Sequence, residues 1–169
     1  MRELNVADAL NYLYPQPLAF LSVAAPGGTR NAMAVGWLMQ ASFEPPILAV
    51  AVSPKNYSHR LIEQTESFVV SLAGEGQADL VNRLGSMSST GSDKLSDAGV
   101  EATPGPNTGC PLIDGAAAHF ECLVQRRVTI GDHSVFFGRI VAAWVPEAPV
   151  RKIDNFGSQR YAPAAPADR

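Results

Sequence analysis

The chain has 169 residues, a formal net charge of −3, and 17% charged against 46% hydrophobic residues. That length and balance suit one folded domain with a sizeable core and exclude a disordered chain. Acidic and basic residues are interspersed without a basic stripe, which excludes the electrostatic footprint of a nucleic-acid binder. Cys110 and Cys122 are the only cysteines, they form no CxxC, and His59, His119 and His133 are scattered, so no metal-ligand spacing is present. The two thiols read as reduced; one disulfide is the other pairing they allow. Arg2, Glu3 and Asp8 precede no apolar stretch, so no signal peptide is expected. The apolar runs break before the ~18–20 residues of a membrane span, and the expected location is the cytoplasm.

Taken in order, Asn5 caps a helix predicted over residues 6–14, with Val6, Ala9, Leu10 and Leu13 on one face and Pro15 and Pro17 ending it. Residues 18–25 read as a strand, and Ala25-Pro26-Gly27-Gly28 as its turn. Two strand-like runs follow over 32–39 and 47–52, joined by Ala41-Ser42-Phe43-Glu44-Pro45-Pro46. A helix to about residue 65 starts from a cap at Asn56 or Ser58, and residues 68–72 form another strand. Residues 76–84 read as a helix, the Ser- and Gly-rich run 85–91 as a loop, and 93–98 as a small helix capped by Ser92. Residues 101–115, with three prolines, are expected to be irregular. Alternation over 117–130, a Gly131-Asp132 turn and a strand over 134–145 predict a β-hairpin. Six or seven strands with three or four small helices imply a closed or nearly closed antiparallel barrel with helical decoration. Residues 1–161 form the domain and 162–169 a loose tail.

Several residues carry chemistry. Ser53, Lys55, Asn56 and Ser58 precede or open a helix, where one cation, two hydroxyls and first-turn amides suit a phosphate; the same residues also suit an ordinary cap. Asn31, Gln40 and Ser42 offer strand-end polar groups for the edge of a planar heterocycle, or for turn backbone. Trp37 and Met39 suit packing on a ring or in a core. His133 stands beside a turn at a barrel mouth, where it would position a cofactor or pass a proton, or lie on the surface. No GxSxG, HExxH, P-loop or GxGxxG occurs, so any redox chemistry must come from a cofactor that the chain holds.

The chain resembles the flavin reductase-like family, nearest its flavoredoxin-like branch. The markers run in order over nearly its whole length: Leu13-Tyr14-Pro15-Gln16-Pro17, Arg30-Asn31-Ala32, Ser42-Phe43-Glu44-Pro45-Pro46, Ser53-Pro54-Lys55-Asn56-Tyr57-Ser58, Glu66-Ser67-Phe68-Val69-Val70, Asp93-Lys94-Leu95, Cys110-Pro111-Leu112-Ile113, Glu121-Cys122, and the most specific run, Gly131-Asp132-His133-Ser134-Val135-Phe136-Phe137-Gly138. The resemblance implies a mainly β fold, the FMN-binding split β-barrel of antiparallel Greek-key type. It also implies a homodimer with FMN near the interface. The implied activity is that of an NAD(P)H:flavin oxidoreductase, which takes hydride from NADH or NADPH to flavin and supplies a partner monooxygenase or another acceptor. By the same resemblance, Asn31, Val35, Gly36 and Trp37 lie along the isoalloxazine, and Gln40, Ala41 and Ser42 meet its edge or the ribityl chain. Ser53, Lys55 and Ser58 hold the phosphate, Lys94 lies near the cofactor or its entrance, and Phe156 and Tyr161 close the site. His133 is the catalytic residue, by the nicotinamide face. Two positions depart from the family pattern: Gly36 replaces a serine, and Gln16 stands where arginine is common. Two further classes fit the same residues, an FMN-binding electron carrier without efficient NAD(P)H activity and a flavin-free binding module.

Overall fold

The computed structural model describes residues 1–88 and 92–164. Asn5 accepts from the Ala7 amide at 2.8 Å and opens helix α1 (Val6–Ala9). The expected single helix then tightens into a 3-10 turn over Leu10–Leu13, since Pro15 cannot continue an α-helical ladder. Strands β1 (Gln16–Pro17), β2 (Ala19–Ala24) and β3 (Arg30–Val35) follow. The apolar run over 32–39 does not form one strand. It breaks at Gly36-Trp37, beyond which β4 (Leu38–Ser42) and β5 (Ile47–Val52) form a hairpin.

Helix α2 (Tyr57–Thr65), β6 (Ser67–Leu72), α3 (Ala78–Ser86) and α4 (Lys94–Asp97) come next. Asp93, not Ser92, caps α4, its carboxylate accepting from the Leu95 and Ser96 amides. The expected loop over 85–91 begins only after Ser86, and its residues 89–91 lie outside the described residues. The expected irregular stretch holds the short pair β7 (Ala102–Pro104) and β8 (Pro111–Ile113). The predicted hairpin is the pair β9 (Ala118–Ile130) and β10 (His133–Trp144). Strands β11 (Ile153–Asn155) and β12 (Tyr161–Pro163) pair with each other, so the expected tail starts inside a strand: Ala162 and Pro163 face Asp154 and Ile153. Residues 165–169 lie outside the described residues.

The main sheet is antiparallel with the order β3-β2-β6-β9-β10-β5-β4. Its two edges, β3 and β4, are consecutive in sequence and separated only by Gly36 and Trp37. The three steps from Val35 to Leu38 span at most ~11 Å of extended chain. The sheet must therefore curl until its edges nearly meet, but no ladder joins them. The result is a split barrel, mainly β with small helices. Strand β2 shows how it is filled. Ala19, Leu21 and Val23 face the barrel interior with Phe68, Val70, Cys122 and Phe136. Leu18 and Phe20 face the other way, onto Val81, Leu84, Leu95 and Ile153. Both faces are buried, which is why this strand reads as a continuous apolar run. Phe20, Phe68 and Phe136 are fully enclosed, each contributing roughly 1.5–3 kcal/mol of burial. Among the described residues no helix is long and apolar enough to cross a membrane.

Candidate functional site

Strand β3 is a sheet edge, so one side of its backbone has no strand partner. Three adjoining depressions follow β3, of about 350, 190 and 180 Å³, and all three share Ala34. They form one groove between β3, the start of α2, the end of α3 and the turn before β12.

The polar end is lined by Lys55, Asn56, Tyr57 and Ser58 on one wall and Leu84 to Ser88 on the other. Asn56 is the N-cap of α2, but its side chain makes no cap hydrogen bond. The helix start therefore keeps first-turn amides free of a side-chain acceptor. Ser58 is buried, and its Oγ accepts from Asn31 Nδ2 at 2.6 Å, which leaves the hydroxyl proton available to a ligand. The other amide atom of Asn31, Oδ1, is buried without a partner among the described residues. Ser53 Oγ accepts from the Lys55 amide at 3.4 Å and shapes the loop.

The other end is aromatic. Met33, Val35, Gly36, Trp37, Ser53, Asn56 and His133 line it. The Trp37 and His133 rings lie 4.7 Å apart, tilted by 48°. His133 Nδ1 lies 2.8 Å from Asp132 Oδ1. Asp132 is held below the usual carboxylate range by that hydrogen bond and by the charges of His133 and Lys55. At the third depression Tyr161 donates to Asn82 Oδ1 at 2.9 Å.

The groove thus brings together Val35, Gly36, Trp37, Ser53, Lys55, Ser58, His133 and Tyr161, with Asn31 behind Ser58. Five expected residues do not line it. Gln40, Ala41 and Ser42 line none of it: they lie on β4, across the split and at the opposite edge of the sheet. Lys94 does not face the groove. It is 4% exposed and donates from Nζ to the Leu84 carbonyl at 2.8 Å. Phe156 lines none of the groove either: its amide donates to the Arg160 carbonyl at 2.8 Å and its carbonyl accepts from Arg160 Nη2 at 3.0 Å. Sequence reasoning missed the wall formed by Leu84, Gly85, Ser86, Met87 and Ser88. The Ser- and Gly-rich composition there was the available signal.

A second polar cluster lies beneath the groove. Glu63 Oε2 approaches His59 Nδ1 at 3.3 Å, and His59 Nε2 meets Ser134 Oγ at 2.9 Å. This has the connectivity of a nucleophilic triad, but Ser134 is fully buried and shares its hydroxyl with Thr129 at 2.8 Å. Burial, then the charge of Arg127, lower the His59 pKa. The cluster ties α2 to β9 and β10 and offers no accessible nucleophile. Both cysteines are buried and free, and burial pushes the Cys122 thiol up to about 12. Among the described residues no group of three potential metal ligands exists.

The geometry has counterparts in known proteins. The family model for the flavin reductase-like domain matches residues 11–163. The structure of an FMN-binding protein from Thermus thermophilus with bound p-hydroxybenzaldehyde is 30% identical, with a TM-score of 0.86, covering 98% of this chain and 97% of that one. The styrene monooxygenase flavin reductase of Pseudomonas putida S12 is 27% identical, with a TM-score of 0.78, over 97% and 99% of the two chains. An NADH-dependent FAD reductase of Streptomyces globisporus is 28% identical over 153 residues, 89% of this chain and 81% of that protein. A match that spans the split barrel and both walls of the groove makes this chain a member of the flavin reductase-like domain family.

Proposed function

We propose that the groove along β3 holds FMN and that the protein is an NAD(P)H-dependent flavin oxidoreductase. The carrying observation is the polarity of the groove. Lys55, Ser58 and the uncapped start of α2 lie at one end, and the Trp37–His133 pair lies at the other. A phosphorylated heterocycle needs that asymmetry: charge and donors for the phosphate, aromatic surface for the ring, and an unpaired strand edge for the ring's polar rim. The residues fit the group. Ser58 is already held as a donor by Asn31, and the orphaned Asn31 Oδ1 marks a buried polar position that needs an outside partner.

Bound FMN would supply a two-electron acceptor for hydride from reduced nicotinamide. Lys55 and Ser58 anchor and orient it, and Trp37 shields one side from water. His133, fixed by Asp132 and Trp37, lines the aromatic end as the candidate catalytic residue. The acceptor beyond the flavin is a partner oxygenase or another flavin-consuming protein, a reading supported by the likeness to a monooxygenase flavin reductase.

The protein acts as a homodimer. An apolar cleft of about 590 Å³, lined by Leu13, Pro17, Trp37, Met39, Ala49 and Val135 among others, shares Gly36, Trp37 and Ala51 with the flavin groove. Around it, Tyr12 (82%), Phe43 (83%) and Met39 (61%) are widely exposed. Such a face suits a second copy, which would also reach Gln40, Ala41 and Ser42 on β4.

The test is an anaerobic absorption spectrum of the purified protein, before and after NADH and then NADPH. The expected result is a flavin band that one donor bleaches. A flavin band that neither donor bleaches would favour an electron carrier, and no band after incubation with FMN would remove the flavin site.

A further inference from the structure

His133 owes its orientation to exposed neighbours. The Asp132 side chain beside it is 93% exposed and Trp37 is 56% exposed. These groups turn the imidazole but do not locate the backbone that carries it. His133 opens β10 and pairs with Ile130 across the hairpin, whereas the ladder to β5 begins one residue later, at Ser134 and Val52. Side chains alternate along a strand, so His133 reaches the groove and Ser134 turns inward, fully buried. In α2, Ser58 lines the groove, and the next residue, His59, is 5% exposed. The two inward residues meet: His59 Nε2 lies 2.9 Å from Ser134 Oγ.

The bond has a direction. Burial, and then the Arg127 charge, lower the His59 pKa, so the ring is neutral at neutral pH. Glu63 Oε2 stands 3.3 Å from Nδ1, and a carboxylate only accepts, which places the ring proton on Nδ1. Nε2 then accepts from Ser134, and Ser134 Oγ accepts from Thr129 Oγ1 at 2.8 Å. Arg127 of β9 pairs with the other oxygen of Glu63. The His59 ring also meets Phe136 edge-on, with centroids 5.0 Å apart. Each donor in this row has an acceptor, as a buried polar chain requires. Helix α2 lies outside the sheet, so no strand ladder sets its distance from β10. The His59–Ser134 bond joins the two directly, one residue after each of the groove residues Ser58 and His133.

We infer that His59 is a positioning residue for His133: the buried His59–Ser134 bond sets the distance between the polar end of the groove, on α2, and the imidazole at its aromatic end. The inference rests on the flavin reading of the groove, with His133 at the reacting end. His59 itself lines none of the groove. Its loss displaces the imidazole and leaves the polar end intact, because Ser58 stays bonded to Asn31.

The experiment uses His59→Leu, Ser134→Ala, their double variant, and His59→Gln, whose amide keeps an acceptor for Ser134 near the place of Nε2. Two readouts are taken. Imidazole NMR spectra of the flavin-free protein have three histidines to resolve, with His133→Ala as the assignment control. In the wild type the His133 ring protons should be displaced by the ring current of Trp37, 4.7 Å away. His59→Leu and Ser134→Ala should lose most of that displacement, and His59→Gln should keep it. On the FMN-loaded protein, His59→Leu and Ser134→Ala should each lower kcat about ten-fold, with FMN dissociation constants within about two-fold of the wild type. The double variant should be no slower than the slower single one, and His59→Gln should keep most of the turnover. Unmoved His133 signals or an undiminished kcat in His59→Leu would overturn the inference. Equal defects in His59→Gln and His59→Leu would overturn it too, since His59 would then serve only packing, and so would defects that multiply in the double variant. Should His59→Leu fail to fold, Ser134→Ala and His59→Gln decide. A wild type that binds no FMN would instead refute the flavin reading, and the NMR spectra would still decide whether the bond holds His133.

Discussion

Lys55 is exposed on the loop before α2 and forms no ion pair among the described residues. Its charge is therefore available to an arriving anion, and its removal leaves no buried group unpaired. Lys55→Ala is expected to lose ~1.5–3 kcal/mol of FMN binding, roughly ten- to a hundred-fold in Kd, while thermal stability stays near that of the wild type. Unchanged FMN affinity would take Lys55 out of the phosphate site. His133 plays a different part. Its ring is fixed by Asp132 and Trp37 at the aromatic end of the groove. Its loss should disturb the reacting geometry more than anchoring. His133→Ala should lower kcat at least about ten-fold and change FMN affinity less than that. Equal turnover in the two proteins would exclude it from the reaction. The residue types at both ends of the groove were legible in the sequence, because the loop from Ser53 to Ser58 and the turn at Gly131-Asp132 are local features. The placement of Lys94 was not. Adjacency to Asp93 and Leu95 gives no sign of which way its side chain turns, and only the packing of α4 under the end of α3 decides that.

At the scale of the elements, the long strands and the helices were legible from period and punctuation, and the split was not. Residues 32–39 form a continuous apolar run, and both halves are strands, so no change of period marks the point where the chain leaves one sheet edge for the other. Glu121 shows a second kind of hidden determinant. It lies near the start of β9 and is fully buried, which a strand pattern alone does not predict. Its carboxylate accepts from the Asn107 and Thr108 amides, the Asn107 and Thr108 side chains and Trp144 Nε1. The carboxylate thus acts as an internal anchor for the loop between β7 and β8. A Cβ at Gly105 would meet its Oε2 at 2.6 Å, so the loop approaches closely enough to require glycine there. Burial raises the pKa of this group, but the donors, Asn107 first, outweigh it and hold the carboxyl below its ordinary 4.5. A group depressed on folding contributes stability above its unfolded pKa and loses it as the pH falls through the folded one. The protein should therefore lose stability as the pH drops below about 4.5. Glu121→Gln, which turns an NH₂ group against donors, should cost ~2–3 kcal/mol at neutral pH and flatten that acid dependence. Chemical denaturation at pH 7 and pH 4 measures both effects, and an unaltered acid slope would mean that other carboxylates set it.

For the whole molecule, the decisive feature is where apolar surface remains. The barrel interior and the layer beneath α3 and α4 are closed. By contrast, α1 and the 3-10 turn after it bury none of their residues, and Trp37, Met39 and Phe43 stand out from the opposite edge of the barrel. A folded chain has no internal reason to leave these groups in water, and on the dimer reading the continuity of the apolar cleft with the groove at Gly36, Trp37 and Ala51 would link assembly to flavin binding. Met39 separates the two effects. It is 61% exposed in the single chain, so Met39→Asp should not disturb the barrel. In a dimer the new carboxylate would be desolvated against an apolar partner, a cost of several kcal/mol. Sedimentation velocity should then show the wild type as a dimer and Met39→Asp as a folded monomer with an unchanged far-UV spectrum. If the groove is completed across the interface, the monomer will also bind FMN more weakly than the dimer, although the substitution lies outside the residues that line the groove. A variant that sediments as the wild type does would show that this face is not where two copies meet, and the exposed aromatics would then have to be assigned to the protein that receives the electrons.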